Sequence, residues 1–184
     1  MNLPTKILIG FAPLIGISLT TLGILFMLGL IRPFRIPTGT MAPTILPGEK
    51  VWNERITLRR RKPMRGDIIV FRTEGIPTLP QDQLYTKRIA ACPGDHLRIS
   101  DGKLYINDAH VKVVETSDPI YQLPNQWQNT AFTNLTIPEE QYYVLGDNGT
   151  NSFDSRSFGC VPAENIIGLV RICYWPPRRI GRVR

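Results

Sequence analysis

A chain of 184 residues is one domain's worth, or two small lobes sharing a core, and its 16 prolines and 15 glycines favour many short strands over long helices. The 22 Lys and Arg against 15 Asp and Glu leave a net charge of +7, an excess suited to anionic lipid or nucleic acid. Cys92, Cys160 and Cys173 are too few for a disulfide-stapled scaffold and lack the spacing of a zinc ribbon, although Cys160 and Cys173 could bridge in an oxidising compartment.

Residues 7–31 carry no charge over 25 positions. As a helix this run would reach about 37 Å, against a hydrocarbon core of about 30 Å. A cleaved signal peptide has an apolar region of roughly 7–15 residues and a small-residue cleavage site, and "RPFRIP" does not supply one. The expectation is a retained single transmembrane anchor, with 1–32 as tail and anchor and 33–184 as a β-rich domain. Lys6 on one side and Arg32 with Arg35 on the other leave the orientation open.

The anchor is followed almost at once by "RIPTGTMAPTILPGE", residues 35–49, a proline-punctuated turn with Thr38 and Thr40 on either side of Gly39. Beyond it the pattern is that of antiparallel strands. Residues 66–72, "GDIIVFR", predict an apolar strand entered from a Gly-Asp turn, and 86–100 a strand, a Pro-Gly-Asp turn and a strand. Residues 102–113 alternate and turn at Asn107-Asp108, a hairpin signal. Residues 139–148 and 164–175 supply two more strands, and the polar stretch 116–136 predicts a loop or insertion.

Peptide cleavage through an acyl intermediate needs a hydroxyl nucleophile, a base for its proton and donors for the developing oxyanion. Of the two histidines, His96 and His110, neither lies in a block resembling a triad histidine. A neutral lysine can serve instead. Lowering a lysine by roughly three units from its ordinary value near 10.4 corresponds to about 4 kcal/mol in favour of the neutral form, which burial can supply. Lys87 is a candidate, because in "YTKRIAA" it shares a strand face with Ile89 while Arg88 points the other way.

Four blocks, "PTGTMAPT", "RGDIIVF", "YTKRIAACPGD" and "GDNGTNSFDSRSFG", occur in that order. Together they resemble the type I signal peptidases, membrane-bound Ser–Lys proteases that remove signal peptides from exported proteins. The resemblance runs from about residue 34 to 181 and implies a mostly β catalytic domain of antiparallel sheets behind one membrane helix. It implies Thr40 as nucleophile, Lys87 as general base, and Thr38 with the Thr40 backbone N–H as oxyanion donors. Ser152 would hydrogen-bond Lys87, Asp147 would pair with Arg88, and Asp154 with Arg156 would brace the turn carrying Ser152. Ile36, Met41, Ile45 and Tyr85 would form a shallow apolar pocket for small side chains.

The chain departs from the family in having Thr40 and Thr38 where serines are usual, and Gly149-Thr150 where an Arg-Asp pair follows "GDN". Threonine is a hydroxyl nucleophile in some proteases, but its methyl stiffens χ1. No cofactor is implied. The implied partners are signal peptides and the lipid bilayer, with the catalytic domain on the exported side: periplasm, cell exterior or thylakoid lumen.

Thr40 lies nine residues past Ile31, within about 30 Å of the membrane boundary even if extended, where a signal peptide's cleavage site also emerges. Alternatives are an inactive homologue that binds signal peptides, or a conjugation-type pilin peptidase. The basic run at 59–62 raises nucleic-acid binding without a recognition motif, and Cys92 with His96 would need a third ligand to hold a metal.

Overall fold

A computed structural model of the chain describes residues 20–21, 23–114, 120–121 and 132–183. The backbone divides into two compact units, Met1–Arg32 and Pro33–Arg184. In the first, residues 20–21 and 23–27 are helical and the run ends at Gly29, whose φ of +63° suits a residue without a Cβ. Most of the expected 7–31 span lies outside the described residues. Among those described, no helix is long and apolar enough to cross a membrane.

The second unit is built from antiparallel sheet. The strands of the described chain are β1 (Ile31–Arg35), β2 (Lys50–Glu54), β3 (Ile68–Arg72), β4 (Leu84–Ala91), β5 (His96–Ser100), β6 (Lys103–Ile106), β7 (Ala109–His110), β8 (Asn134–Thr136), β9 (Gln141–Leu145), β10 (Val161–Pro162), β11 (Ile166–Trp175) and β12 (Gly181–Arg182). The larger sheet runs in the order β1-β2-β11-β3-β4-β9-β10, with β12 on β11, and the smaller in the order β7-β6-β5-β8.

Strand β3 shows why this chain needs two layers. Ile69 and Phe71 enter a core cluster with Ile89, Tyr142, Val144 and Leu169, whereas Ile68 and Val70 enter another with Ile36, Met41, Ile45, Val51 and Cys173. An apolar run without alternation is what a strand covered on both faces requires. A third cluster joins the smaller sheet to Tyr143 and Leu145 of β9.

The 66–72 segment is as expected: Gly66 (φ +88°) and Asp67 form the turn, and the apolar strand follows as Ile68–Arg72. Asn107 and Asp108, both at positive φ, make the predicted hairpin turn between β6 and β7. Part of the expected 116–136 loop lies outside the described residues. Its last residues instead form β8, where Leu135 opposes Leu97 of β5, and Tyr121 is buried with its N–H on the Gly102 carbonyl. Strands β1 and β2 were not predicted, since five residues such as "KVWNE" carry too short an alternation. The expected option of a Cys160–Cys173 bridge is not taken: all three thiols are free, and those two belong to different clusters.

Candidate active site

Strand β4 positions the lysine. Lys87 sits opposite Ile69 of β3, and its side chain is 3% exposed. Its Nζ donates to Thr40 Oγ1 at 3.0 Å and lies 5.7 Å from the centre of the Tyr85 ring. Burial lowers the Lys87 pKa to about 8, with the Asp154 carboxylate pulling the other way. A group titrating there is partly neutral near physiological pH, which a general base requires.

The hydroxyl partner is held by backbone. Gly39–Met41 form a single 3₁₀ turn behind Thr38, which is extended at φ −119°, ψ 158°. The Asn148 N–H donates to the Thr40 carbonyl at 3.0 Å, and its Nδ2 donates to the Gly39 carbonyl at 3.2 Å. Thr38 Oγ1 lies 3.4 Å from Thr40 Oγ1. On the far side of the turn, Arg179 Nε donates to the buried Glu49 carboxylate at 2.7 Å and its Nη2 to the carbonyls of Pro43 and Thr44. Asn148 and Arg179 were both missed in the sequence. Their signals were faint: the third letter of "GDN" and one arginine of "PPRR".

The turn after β9 is cross-braced. Arg88, pointing away from Lys87, donates from Nε and Nη2 to the two oxygens of Asp147 at 2.8 and 2.7 Å, and from Nη1 to the Gly66 carbonyl. Arg156 makes the same fork onto Asp154, at 2.8 and 2.7 Å, and reaches the Gly149 carbonyl at 2.6 Å. Asp154 also accepts from the Gly146 N–H. All four side chains are buried, so each charge is matched where water cannot reach it.

Two expectations are corrected. Ser152 is buried on this turn, but its Oγ has no hydrogen-bond partner among the described residues, so the expected bond to Lys87 is not formed. Lys87 Nζ is directed instead at Thr40, and Ser152 Oγ packs against Gly146, where any Cβ would collide with it. Met41 and Ile45 do not line a pocket: both are 0% exposed in the core beneath the turn.

The cleft itself has a volume of about 440 Å³ and brings together Thr38, Thr40 and Lys87 with Ile36 and Tyr85. Phe34, Val70 and Phe153, which sequence reasoning did not name, complete its apolar wall. Alternation alone could not show which of several buried apolar residues faces a space. Other groups are placed elsewhere. Arg61 pairs with Asp67, Lys62 with Glu140 and Arg65 with Asp95. Cys92 and His96 gather no third ligand among the described residues.

Known proteins resemble this chain along most of its length. The family described as "Signal peptidase, peptidase S26" matches residues 8–175. Thylakoidal processing peptidase 1 of Arabidopsis thaliana is 34% identical over 88% of this chain and 47% of its own length. Probable signal peptidase I-2 of Synechocystis sp. is 34% identical over 79% of this chain and 64% of its own. The match thus spans about half to two-thirds of those relatives. For signal peptidase I of Leptolyngbya laminosa the identity is 33%, over 91% of this chain and 82% of the relative. A solved signal peptidase I from Enterococcus faecalis is 30% identical, with a TM-score of 0.43, covering 59% of this chain and 97% of that one. With a family match from residue 8 to residue 175 and relatives at this identity, the chain belongs to the signal peptidase family.

Proposed function

We propose that this chain is an endopeptidase that removes signal peptides from exported preproteins, with Thr40 as nucleophile and Lys87 as its base. The observation that carries the reading is the 3.0 Å contact between a buried lysine amine, lowered to about 8, and a threonine hydroxyl at the wall of an apolar cleft. In the reactive form Nζ is neutral and the bond reverses: Oγ1–H donates to Nζ, and Oγ1 attacks the scissile carbonyl carbon. The oxyanion is held by the Thr40 N–H and the Thr38 hydroxyl. The resulting ammonium passes its proton to the leaving amine, and the acyl–Thr40 ester remains. Lys87, neutral again, takes a proton from the water that hydrolyses this ester.

The cleft has a means of holding an extended peptide. Strand β9 pairs with β4 only from Arg88 onward, so on that side residues 84–87 of β4 have no strand partner among the described residues. A peptide adding to this edge gains main-chain hydrogen bonds and presents alternate side chains to Ile36, Val70 and Tyr85. The pocket admits small residues and excludes large ones by overpacking. Residues 7–31 act as membrane anchor, with the catalytic unit on the exported side.

The test is cleavage of a preprotein with an A-x-A site, in detergent, by the native chain, Thr40→Ala, Thr40→Ser and Lys87→Ala. Native cleavage that vanishes in both alanine variants is the expected outcome. Activity only in Thr40→Ser would identify a built but silent site. Inactivity of all four would overturn the assignment in favour of a signal-peptide-binding homologue.

A further inference from the structure

Arg88 points to the face of β4 opposite Lys87, and there a second cleft opens, with a volume of about 500 Å³, which no step of peptide cleavage uses. Its charged lining is five basic residues, Arg65, Arg88, Lys112, Arg171 and Arg182, against one acid, Asp67. Much of that charge is already matched. Arg88 is committed to Asp147, and Asp67 holds Arg61 in a two-point fork with Arg171 Nη2 at 3.7 Å. What is left over is specific. Arg65 reaches Asp95 through one Nη2 only, and Arg171 donates to Glu54 through Nε only. Arg182 is exposed and makes no ion pair among the described residues. Arg65, Arg171 and Arg182 therefore line the cleft with guanidinium N–H groups that have no close acceptor among the described residues.

A solvated basic surface would look similar in charge, but it would be neither concave nor floored with apolar side chains. Here Ile68, Val113 and Val170 are each buried and line the same space. Guanidinium forks match the oxygens of a phosphate, and an apolar floor beside them matches the carbon skeleton that a phosphate ester carries. We infer that this cleft binds a phosphate-bearing ligand, either a phospholipid headgroup or free phosphate. The inference stands apart from the Thr40–Lys87 reading, because none of the spare donors belongs to the peptide-cleavage machinery.

The experiment titrates the full chain, in neutral-detergent micelles, with three probes: water-soluble short-chain phosphatidylglycerol, the matching phosphatidylcholine and inorganic phosphate. Heat of binding is read at low and high salt for the native chain, for the Lys112→Glu/Arg182→Glu double variant and for Arg171→Gln. The double variant alters two exposed side chains, and urea unfolding, which does not depend on activity, checks that it and Arg171→Gln are folded. The expected result is that an anionic probe binds the native chain about tenfold or more tightly than phosphatidylcholine, weakens with salt and loses about tenfold or more in both variants. Preference for phosphatidylglycerol over phosphate assigns the site to a headgroup, and equal binding of the two assigns it to free phosphate. Binding that is the same for the two lipids and indifferent to both variants overturns the inference, as does absence of heat from all three probes.

Discussion

Lys87 answers to two opposed requirements. Folding is favoured if the buried group is apolar, whereas the proposed catalysis needs an amine that can take a proton. Because burial lowers its pKa to about 8, the fraction of neutral amine climbs as pH rises through that value. Cleavage measured as kcat/KM should therefore rise with pH up to about 8 and then level off, and a flat profile from pH 6 to 10 would remove Lys87 as the base. The same shift governs stability. The folded lysine gives up its proton near pH 8 and the unfolded one near 10.4, so the burial penalty is full below pH 8 and relieved as pH climbs through that window. Lys87→Met should be inactive yet more stable at pH 7 by roughly 3 kcal/mol, with the gain shrinking toward pH 10, as followed by urea unfolding. Thr38 belongs to the same scale. Removing its hydroxyl in Thr38→Val should lower kcat by about a hundredfold or more with little change in KM, the signature of a donor felt chiefly in the transition state.

At the scale of elements, the site depends on one turn meeting another. The turn after β9 lies against the Gly39–Met41 turn through Asn148, and Gly146 sits where they touch. A Cβ on Gly146 would come within 2.5 Å of the Thr40 carbonyl oxygen and closer still to Ser152, so the two turns must separate to accommodate it. A displacement of about 1 Å is enough to cost of order a hundredfold in rate. Gly146→Ala should therefore lose cleavage by about that factor, while binding an uncleavable peptide nearly as well as the native chain. The Asp154–Arg156 fork holds this turn in shape from within. Asp154→Asn leaves the Arg156 charge buried and poorly compensated, and should lower the free energy of unfolding by about 3–5 kcal/mol in a denaturant titration.

Across the whole molecule, the central sheet separates roles that the sequence runs together. Consecutive residues of β4 serve different places: Lys87 faces the Thr40 cleft, Arg88 the braced turn and the basic cleft behind it. The cluster under the turn that carries Thr40 is shared by β1–β2 loop residues and by strands β2, β3 and β11, so support for Thr40 is distributed through the core. Ile45→Ala should destabilise the chain by about 2–5 kcal/mol through the cavity it leaves, without altering which substrate side chain is preferred, because Ile45 does not reach the cleft. Widened preference in that variant, measured on preproteins with larger residues at the cleavage site, would put Ile45 back in the pocket.

Local rules determined a good deal of this protein from sequence. The Asn107-Asp108 and Gly66-Asp67 turns were legible because their conformations restrict which residues can occupy them. The apolar run of β3 and the alternation in β4, which sets Lys87 and Arg88 on opposite faces, were legible because strand period is fixed by the backbone. The Arg88–Asp147 and Arg156–Asp154 pairings and the Thr40–Lys87 contact were expected from ordered motifs, not from spacing, since 47 residues separate Lys87 from Thr40 and 59 separate Arg88 from Asp147. Tertiary structure alone decided the rest. It sent Met41 and Ile45 into the core and brought Phe34, Val70 and Phe153 to the cleft, a choice that hydrophobicity cannot make because both destinations are lined by apolar side chains. It directed Lys87 to Thr40 and away from Ser152, and it brought Asn148 and Arg179 onto one turn across separations of 109 and 135 residues. Composition and period are properties of neighbours along the chain, whereas which buried group meets which is set by how strands register and sheets pack.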